Sequence, residues 1–157
     1  MDGAAKKPGT GGLHMVKLCV GTDTVEELAD WREEVRVKRL AAGLDPRIHH
    51  VTRMWPRRAD ELLDGGSLYW VVRGLILVRQ KIDALEEAIG EDGIRRCAIV
   101  LSPDLIRTEP RPRRPFQGWR YLAGADVPPD LNPRAEAESE LPAEMRMALL
   151  QLGIIGR

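Results

Sequence analysis

The first clear pattern along the chain is the alternation Val16-Lys17-Leu18-Cys19-Val20, closed by Gly21. Side chains two apart share one face of an extended chain, so this segment reads as a first strand. The period then changes. Thr24 and Glu27 have capping-box spacing. Leu28, Trp31, Val35 and Ala42 recur on one side of a 3.6-residue repeat, which predicts a helix to about Ala42 with that side buried. Glu34 and Lys38 pair at i,i+4 and Gly43 supplies the stop. Residues 48–54 read as a second strand. Pro56 holds Trp55 extended and opens a short helix over 57–64, with Ala59, Leu62 and Leu63 inward and Gly65-Gly66 at its end.

The strongest strand signals follow at 67–73 and 75–82, broken only by Gly74, which fits either a tight hairpin turn or a bulge. Asp83 and Glu86 are spaced to cap a helix through Ile89. Residues 96–101 form another strand, apolar throughout from Cys97 to Leu101 and so expected to be covered on both faces. Pro103, Pro110, Pro112 and Pro115 exclude a helix from 102–118 and favour extended chain. One more strand falls at 118–122. Pro128-Pro129 and Pro133 mark a loop, Glu136, Glu138 and Glu140 an acidic stretch, and Met145, Ala148, Leu149 and Leu152 a closing helix over about 142–152.

About seven short strands and four helical pieces, without strict strand–helix alternation, predict the α+β class, as a compact mixed sheet with flanking helices or a small barrel. Residues 1–14 have no apolar period and read as a disordered leader to a single domain over 15–157.

Composition narrows the picture. A chain of 157 residues, 43% apolar and 31% charged, has the balance of one globular domain. No apolar run is long enough to span a bilayer, and Pro8-Gly9-Thr10-Gly11-Gly12 is no signal-peptide core, so a cytoplasmic location without a membrane partner is expected. Cys19 and Cys97 read as reduced, packed thiols. Net charge is zero, which removes any global pull toward polyanions. The basic residues are biased, however: 19 of the 24 are arginine, whose planar fork suits phosphate, carboxylate and base edges.

The most unusual stretch is 107–121, with five arginines against Glu109 and three of the seven aromatic residues. Prolines splay the arginines and lower the entropy lost on binding. Guanidinium groups interleaved with aromatic platforms are what single-stranded nucleic acid needs, so Arg111, Arg113, Arg114, Arg120 and Trp119 are candidate contacts. The plainer alternative is a solvated connection that Phe116, Trp119 and Tyr121 anchor to the core. A second basic set, Arg73, Arg79 and Lys81, would share a sheet face if the hairpin is regular, or would simply be the solvent face of a half-buried sheet. His49 and His50 are adjacent and point to opposite faces of a strand, so no metal site is expected. No nucleophile elbow, phosphate loop or dinucleotide fingerprint is present. No catalytic residue and no cofactor is assigned.

The stretches Val51-Thr-Arg-Met-Trp-Pro-Arg-Arg, Gly66-Ser-Leu-Tyr-Trp-Val-Val-Arg-Gly and Arg113-Arg-Pro-Phe-Gln-Gly-Trp-Arg-Tyr-Leu resemble a bacterial family, domain of unknown function 1489, from Met15 onward. That resemblance implies no activity. A short helix leading into Leu68-Tyr69-Trp70-Val71-Val72 is similar, at the level of fold, to the small PUA-like barrels with their ASCH and EVE relatives. This second likeness implies binding of RNA or modified nucleotides. The expected function is therefore a nucleic-acid module, for RNA or a nucleotide. The alternatives are an assembly domain whose proline–arginine segment docks an acidic protein partner, or a small enzyme acting on an anionic substrate.

Overall fold

The computed structural model describes residues 12–131. Its first strand, β1 (Leu13–Leu18), begins two residues before the expected start at Met15, and both Leu13 and His14 are buried. The rest of the expected leader, 1–11, lies outside the described residues, as do Pro133, the acidic stretch and the expected helix over 142–152.

Helix α1 (Val25–Ala41) starts at the anticipated capping box. Thr24 Oγ1 accepts from the Glu27 N–H at 3.0 Å, and Glu27 Oε1 accepts from the Thr24 N–H at 3.2 Å. Its buried side is not the expected one. Val25, Leu28 and Arg32 face inward, while Trp31 is 55% exposed. The inward stripe is rotated by about one residue, with Arg32, four positions after Leu28, donating from Nη2 to the Pro103 carbonyl.

Strand β2 (Ile48–Thr52) stops short of the expected 54, where Thr52 Oγ1 donates to the Met54 carbonyl at 3.1 Å and turns the chain. The short helix α2 (Ala59–Leu63) buries Leu62. Gly66 follows it at a close crossing. A Cβ there would lie 2.3 Å from the Leu62 carbonyl oxygen and 2.5 Å from that of Leu13, so only glycine fits.

β3 (Ser67–Val72) and β4 (Leu75–Ile89) are joined by Arg73-Gly74, both with positive φ (51° and 83°). That is the two-residue hairpin turn with the mirror-image twist. Gly74 is thus a turn, and the ladder's irregularity falls instead between Trp70 and Val71.

The expected helix over 83–89 is absent, because β4 runs straight through it for 15 residues. Asp83 marks a register shift rather than a helix cap, and residues from Ala84 to Ile89 pair with β5 (Arg95–Leu101). Seven partnered residues on β5 outweigh a local helical preference.

The sheet order is β2-β5-β4-β3-β1-β7, with β7 (Trp119–Ala123) antiparallel to β1 and β6 (Ile106–Pro112) on β4. This is an open mixed sheet of seven strands with flanking helices, in the α+β class. β3 lies along one edge of β4, while β5 and then β6 follow the other.

Both sheet faces carry a core. One, under the helices, is built on Met15, Leu68, Trp70, Ile82 and Ile99. The other holds Val16, Tyr69, Val71, Ile76, Leu122 and Val127. It is closed by the chain after β7, which makes a 3-10 turn (Gly124–Asp126) and returns to β6. There the Glu109 N–H donates to the Pro129 carbonyl and the Leu131 N–H to the Arg107 carbonyl, both at 2.9 Å.

Candidate nucleic-acid interface

β6 and β7 are separated by β4, β3 and β1, and residues 113–118 link them across one end of the sheet. Three contacts fix this link. The Arg113 N–H donates to the Gly74 carbonyl at 2.9 Å, which seats the link on the β3–β4 turn and brings Arg73 beside it. Half-buried Phe116 packs on the second core, with the guanidinium carbons of Arg113 and Arg120 at 5.2 Å and 5.1 Å from its ring centre. Arg120 Nη1 donates to the Gln117 carbonyl at 2.6 Å. Arg111, at the end of β6, donates from Nη1 to the Asp126 carbonyl at 2.7 Å, and Arg114 stands exposed between them. Arg73, Arg111, Arg113, Arg114 and Arg120 therefore belong to one end of the molecule.

Their charges are not compensated locally. Among the described residues Arg36, Arg47, Arg58, Arg79, Arg95, Arg96 and Arg107 each have a carboxylate partner within ion-pair distance. None of the five arginines at this end does. Their fixed contacts are to carbonyl oxygens and an aromatic ring, which orient a guanidinium without neutralising it.

Arg79 and Trp119 sit elsewhere. Arg79 is 3% exposed, donating to both Asp130 carboxylate oxygens at 2.8 Å and to Ser67 Oγ at 2.9 Å. The sheet face it was expected to share with Arg73 and Lys81 is covered at that point by the returning 127–131 segment, so its charge serves the interior. Lys81 remains exposed. Trp119 is buried in the first core, edge-on to Tyr121 at 4.8 Å, with its indole N–H donating to the Met54 carbonyl at 3.2 Å. Tyr121 is likewise engaged, its hydroxyl accepting from the Arg58 N–H at 3.0 Å. The aromatic residues of this stretch anchor it, and the arginines are what it presents.

Burial raises the Cys19 and Cys97 thiols, Cys97 to about 11, so neither is a ready nucleophile. Tyr69 is pushed up by burial. His49 and His50 point to different surroundings. The His49 Nδ1 lies 2.9 Å from the Arg47 carbonyl, whereas His50 is edge-on to Trp70 at 5.1 Å and is lowered to about 4 by burial and by Lys17. Among the described residues no three His, Cys, Asp or Glu side chains are grouped to hold a metal ion, and no helix is long and apolar enough to cross a membrane.

Fold and surface together define an α+β domain with a doubly covered mixed sheet and one arginine-bearing end. The family model described as protein of unknown function (DUF1489) matches residues 15–155, and the chain belongs to that family. Neither a curated protein nor a solved structure matches it, so the fold-level likeness to PUA-like domains finds no counterpart.

Sequence reading missed one cluster. Arg32, Arg36 and Arg39 recur at i, i+4, i+7 on α1, a spacing that puts three guanidiniums on one helix face. The signal was present but hidden by the neighbouring apolar repeat of Leu28, Trp31 and Val35.

Proposed function

We propose that this domain binds nucleic acid, RNA foremost, through the phosphates of the strand, using Arg73, Arg111, Arg113, Arg114 and Arg120. The observation that carries this reading is the division of the arginines. Six exposed or half-buried arginines elsewhere, Arg36, Arg47, Arg58, Arg95, Arg96 and Arg107, are ion-paired, whereas all five at the β6–β7 end lack a carboxylate partner among the described residues. Five oriented guanidiniums on a seated link offer forked donors at little entropic cost. With Trp119 and Tyr121 engaged in packing and Phe116 under two guanidiniums, base stacking contributes little. Contacts to phosphate then dominate, and sequence preference is weak.

Fluorescence anisotropy with short single- and double-stranded RNA and DNA, across a salt series, tests this. About five phosphate contacts give a log–log slope near −3.5 on single strands. Arg113→Ala with Arg114→Ala should flatten that slope by about 1.4, and the slope on duplex DNA by about 1.8, the contribution of two phosphate contacts. Absence of binding by the unmutated protein at low salt removes the proposal and promotes an acidic protein segment as the ligand of the same arginines. Binding unchanged in the double variant places the contact elsewhere.

A further inference from the structure

A second arginine cluster lies away from this end, where α1 crosses β2. Between them is a small cavity of about 70 Å³, lined by Trp31, Arg32, Arg36, Arg39, Arg47 and His49 over a floor of Val35, Pro46 and Ile48. Among the described residues its lining holds four guanidiniums and one imidazole and no carboxylate. It borders, at Arg32, Arg36 and Ile48, a more open groove of about 340 Å³ that runs out past Pro103 and Asp104. The smaller space exceeds what one water molecule requires and suits a small oxyanion.

The four guanidiniums are not equivalent. Arg36 is paired with Glu33 at 2.6 Å, and Arg47 with Asp45 and Glu86 at 2.7 Å and 3.0 Å. Asp45 and Glu86 also approach His49, whose Nε2 lies 3.7 Å and 3.8 Å from their carboxylate oxygens. Arg32 and Arg39 have no such partner among the described residues. Arg39 donates from Nε to the Asp45 backbone carbonyl, and Arg32 from Nη2 to the Pro103 carbonyl. Arg32 is only 9% exposed, and its Nε has no hydrogen-bond partner. A desolvated guanidinium held by one carbonyl and facing a cavity is an expensive arrangement for a merely structural residue. Such a group is ordinarily matched by an anion. Asp104 and Glu33, the acids acting on it, both line the outer groove, and neither lines the inner cavity.

We propose that the cavity between α1 and β2 is a binding site for a phosphate group, held by Arg32 and Arg39, with Trp31 in its wall. Arg36 and Arg47 line the same space but stay tied to their own carboxylates. The outer groove, lined by Ala29, Pro103 and Leu105, gives the organic part of a phosphomonoester a place to extend. This site is independent of the arginines at the β6–β7 end.

The experiment titrates the full chain with inorganic phosphate, with adenosine monophosphate as a phosphomonoester, and with adenosine as the uncharged control. Ionic strength is held constant with chloride, and melting temperature and tryptophan fluorescence are read. Both phosphate-bearing probes should raise the melting temperature saturably, as mass action requires of a ligand for the native state, and adenosine should not. Arg39→Gln, at a part-exposed position, should weaken the apparent Kd at least about tenfold, the effect of losing one charge-assisted hydrogen bond. Arg32→Lys, which keeps the charge but loses the fork, should weaken it as well. Arg113→Ala with Arg114→Ala should leave it unchanged. A shift of equal size in the Arg39→Gln and unmutated proteins overturns the proposal, because it marks general stabilisation by excluded phosphate. So does the lack of any saturable shift with either probe, or a shift abolished only in the Arg113/Arg114 variant.

Discussion

Arg73 and Arg79 stand six residues apart in one hairpin and meet opposite fates. Arg79, in the ladder of β4, is sealed inside the second core by the 127–131 segment and is matched by both oxygens of Asp130. Arg73, in the turn, stays in solvent beside Arg113, with no carboxylate in range among the described residues. The difference teaches how to read charge in this molecule. A guanidinium buried as deeply as Arg79 has to be matched by a counter-ion, because desolvation of an unpaired charge costs several kcal/mol. Hydrated guanidiniums need none, and the five at the β6–β7 end have no carboxylate partner among the described residues.

The largest effect that sharpens this contrast is at Trp119, the residue that ties the arginine segment to the core. Trp119→Ala should cost about 3–5 kcal/mol in chemical denaturation, the usual toll of emptying a buried aromatic site. Its effect on nucleic-acid affinity, measured where the variant is still folded, should be small. If stability hardly moves and affinity drops by about 1–3 kcal/mol instead, the indole is a base platform and the division between anchoring aromatics and presented arginines fails.

Next in size is the buried pair itself. Asp130→Asn leaves the Arg79 charge enclosed and should destabilise by about 3 kcal/mol, the low end for a broken buried pair because Asp130 is partly exposed. Arg79→Met with Asp130→Leu should cost clearly less than the sum of the single changes, as a double-mutant cycle in urea would show. Strict additivity would mean that the two groups are not acting as a pair.

The sequence carried some of these features and hid others for identifiable reasons. The Thr24–Glu27 cap and the apolar run from Cys97 to Leu101 are local statements that the structure keeps, whereas Gly74 reads equally as a turn or a bulge until the pairing of β3 with β4 makes it a turn. Residues 83–89 show the opposite. Asp83 and Glu86 have the spacing of a cap, and Leu85 and Ile89 the spacing of a helix face, yet the segment is strand because β5 pairs with it. Arg79 was misplaced for the same reason, since the residues that bury it lie fifty positions downstream. The α1 face was displaced because an apolar repeat and an arginine repeat run side by side, and only tertiary contacts such as that of Arg32 with the Pro103 carbonyl select between them.

A smaller effect tests the third kind of polar group, buried without a partner. His50 Nε2 has none, and burial together with Lys17 depresses the imidazole to about 4 from an ordinary 6.5. Between those values the unfolded chain binds a proton that the folded chain refuses, so stability falls as pH drops from about 6.5 to 4 and levels off below for this group. The loss should total roughly 3 kcal/mol, and His50→Phe should flatten the curve across that window. Equal pH dependence in the variant and the unmutated protein would show that His50 is not the group responsible.

The smallest effect is the one the contrast most needs. If the β6–β7 arginines are held for an external anion rather than for the fold, Arg113→Ala with Arg114→Ala should change unfolding free energy by no more than about 0.5 kcal/mol, as exposed positions generally do. The stacking of Arg113 on Phe116 is replaced by water at little cost, since Arg120 still lies over the same ring. The same variant should lose nucleic-acid affinity and salt dependence together. A stability loss comparable to that of Trp119→Ala would mean that these guanidiniums hold the link in place. The distinction between Arg79 and its exposed counterparts would then be one of degree.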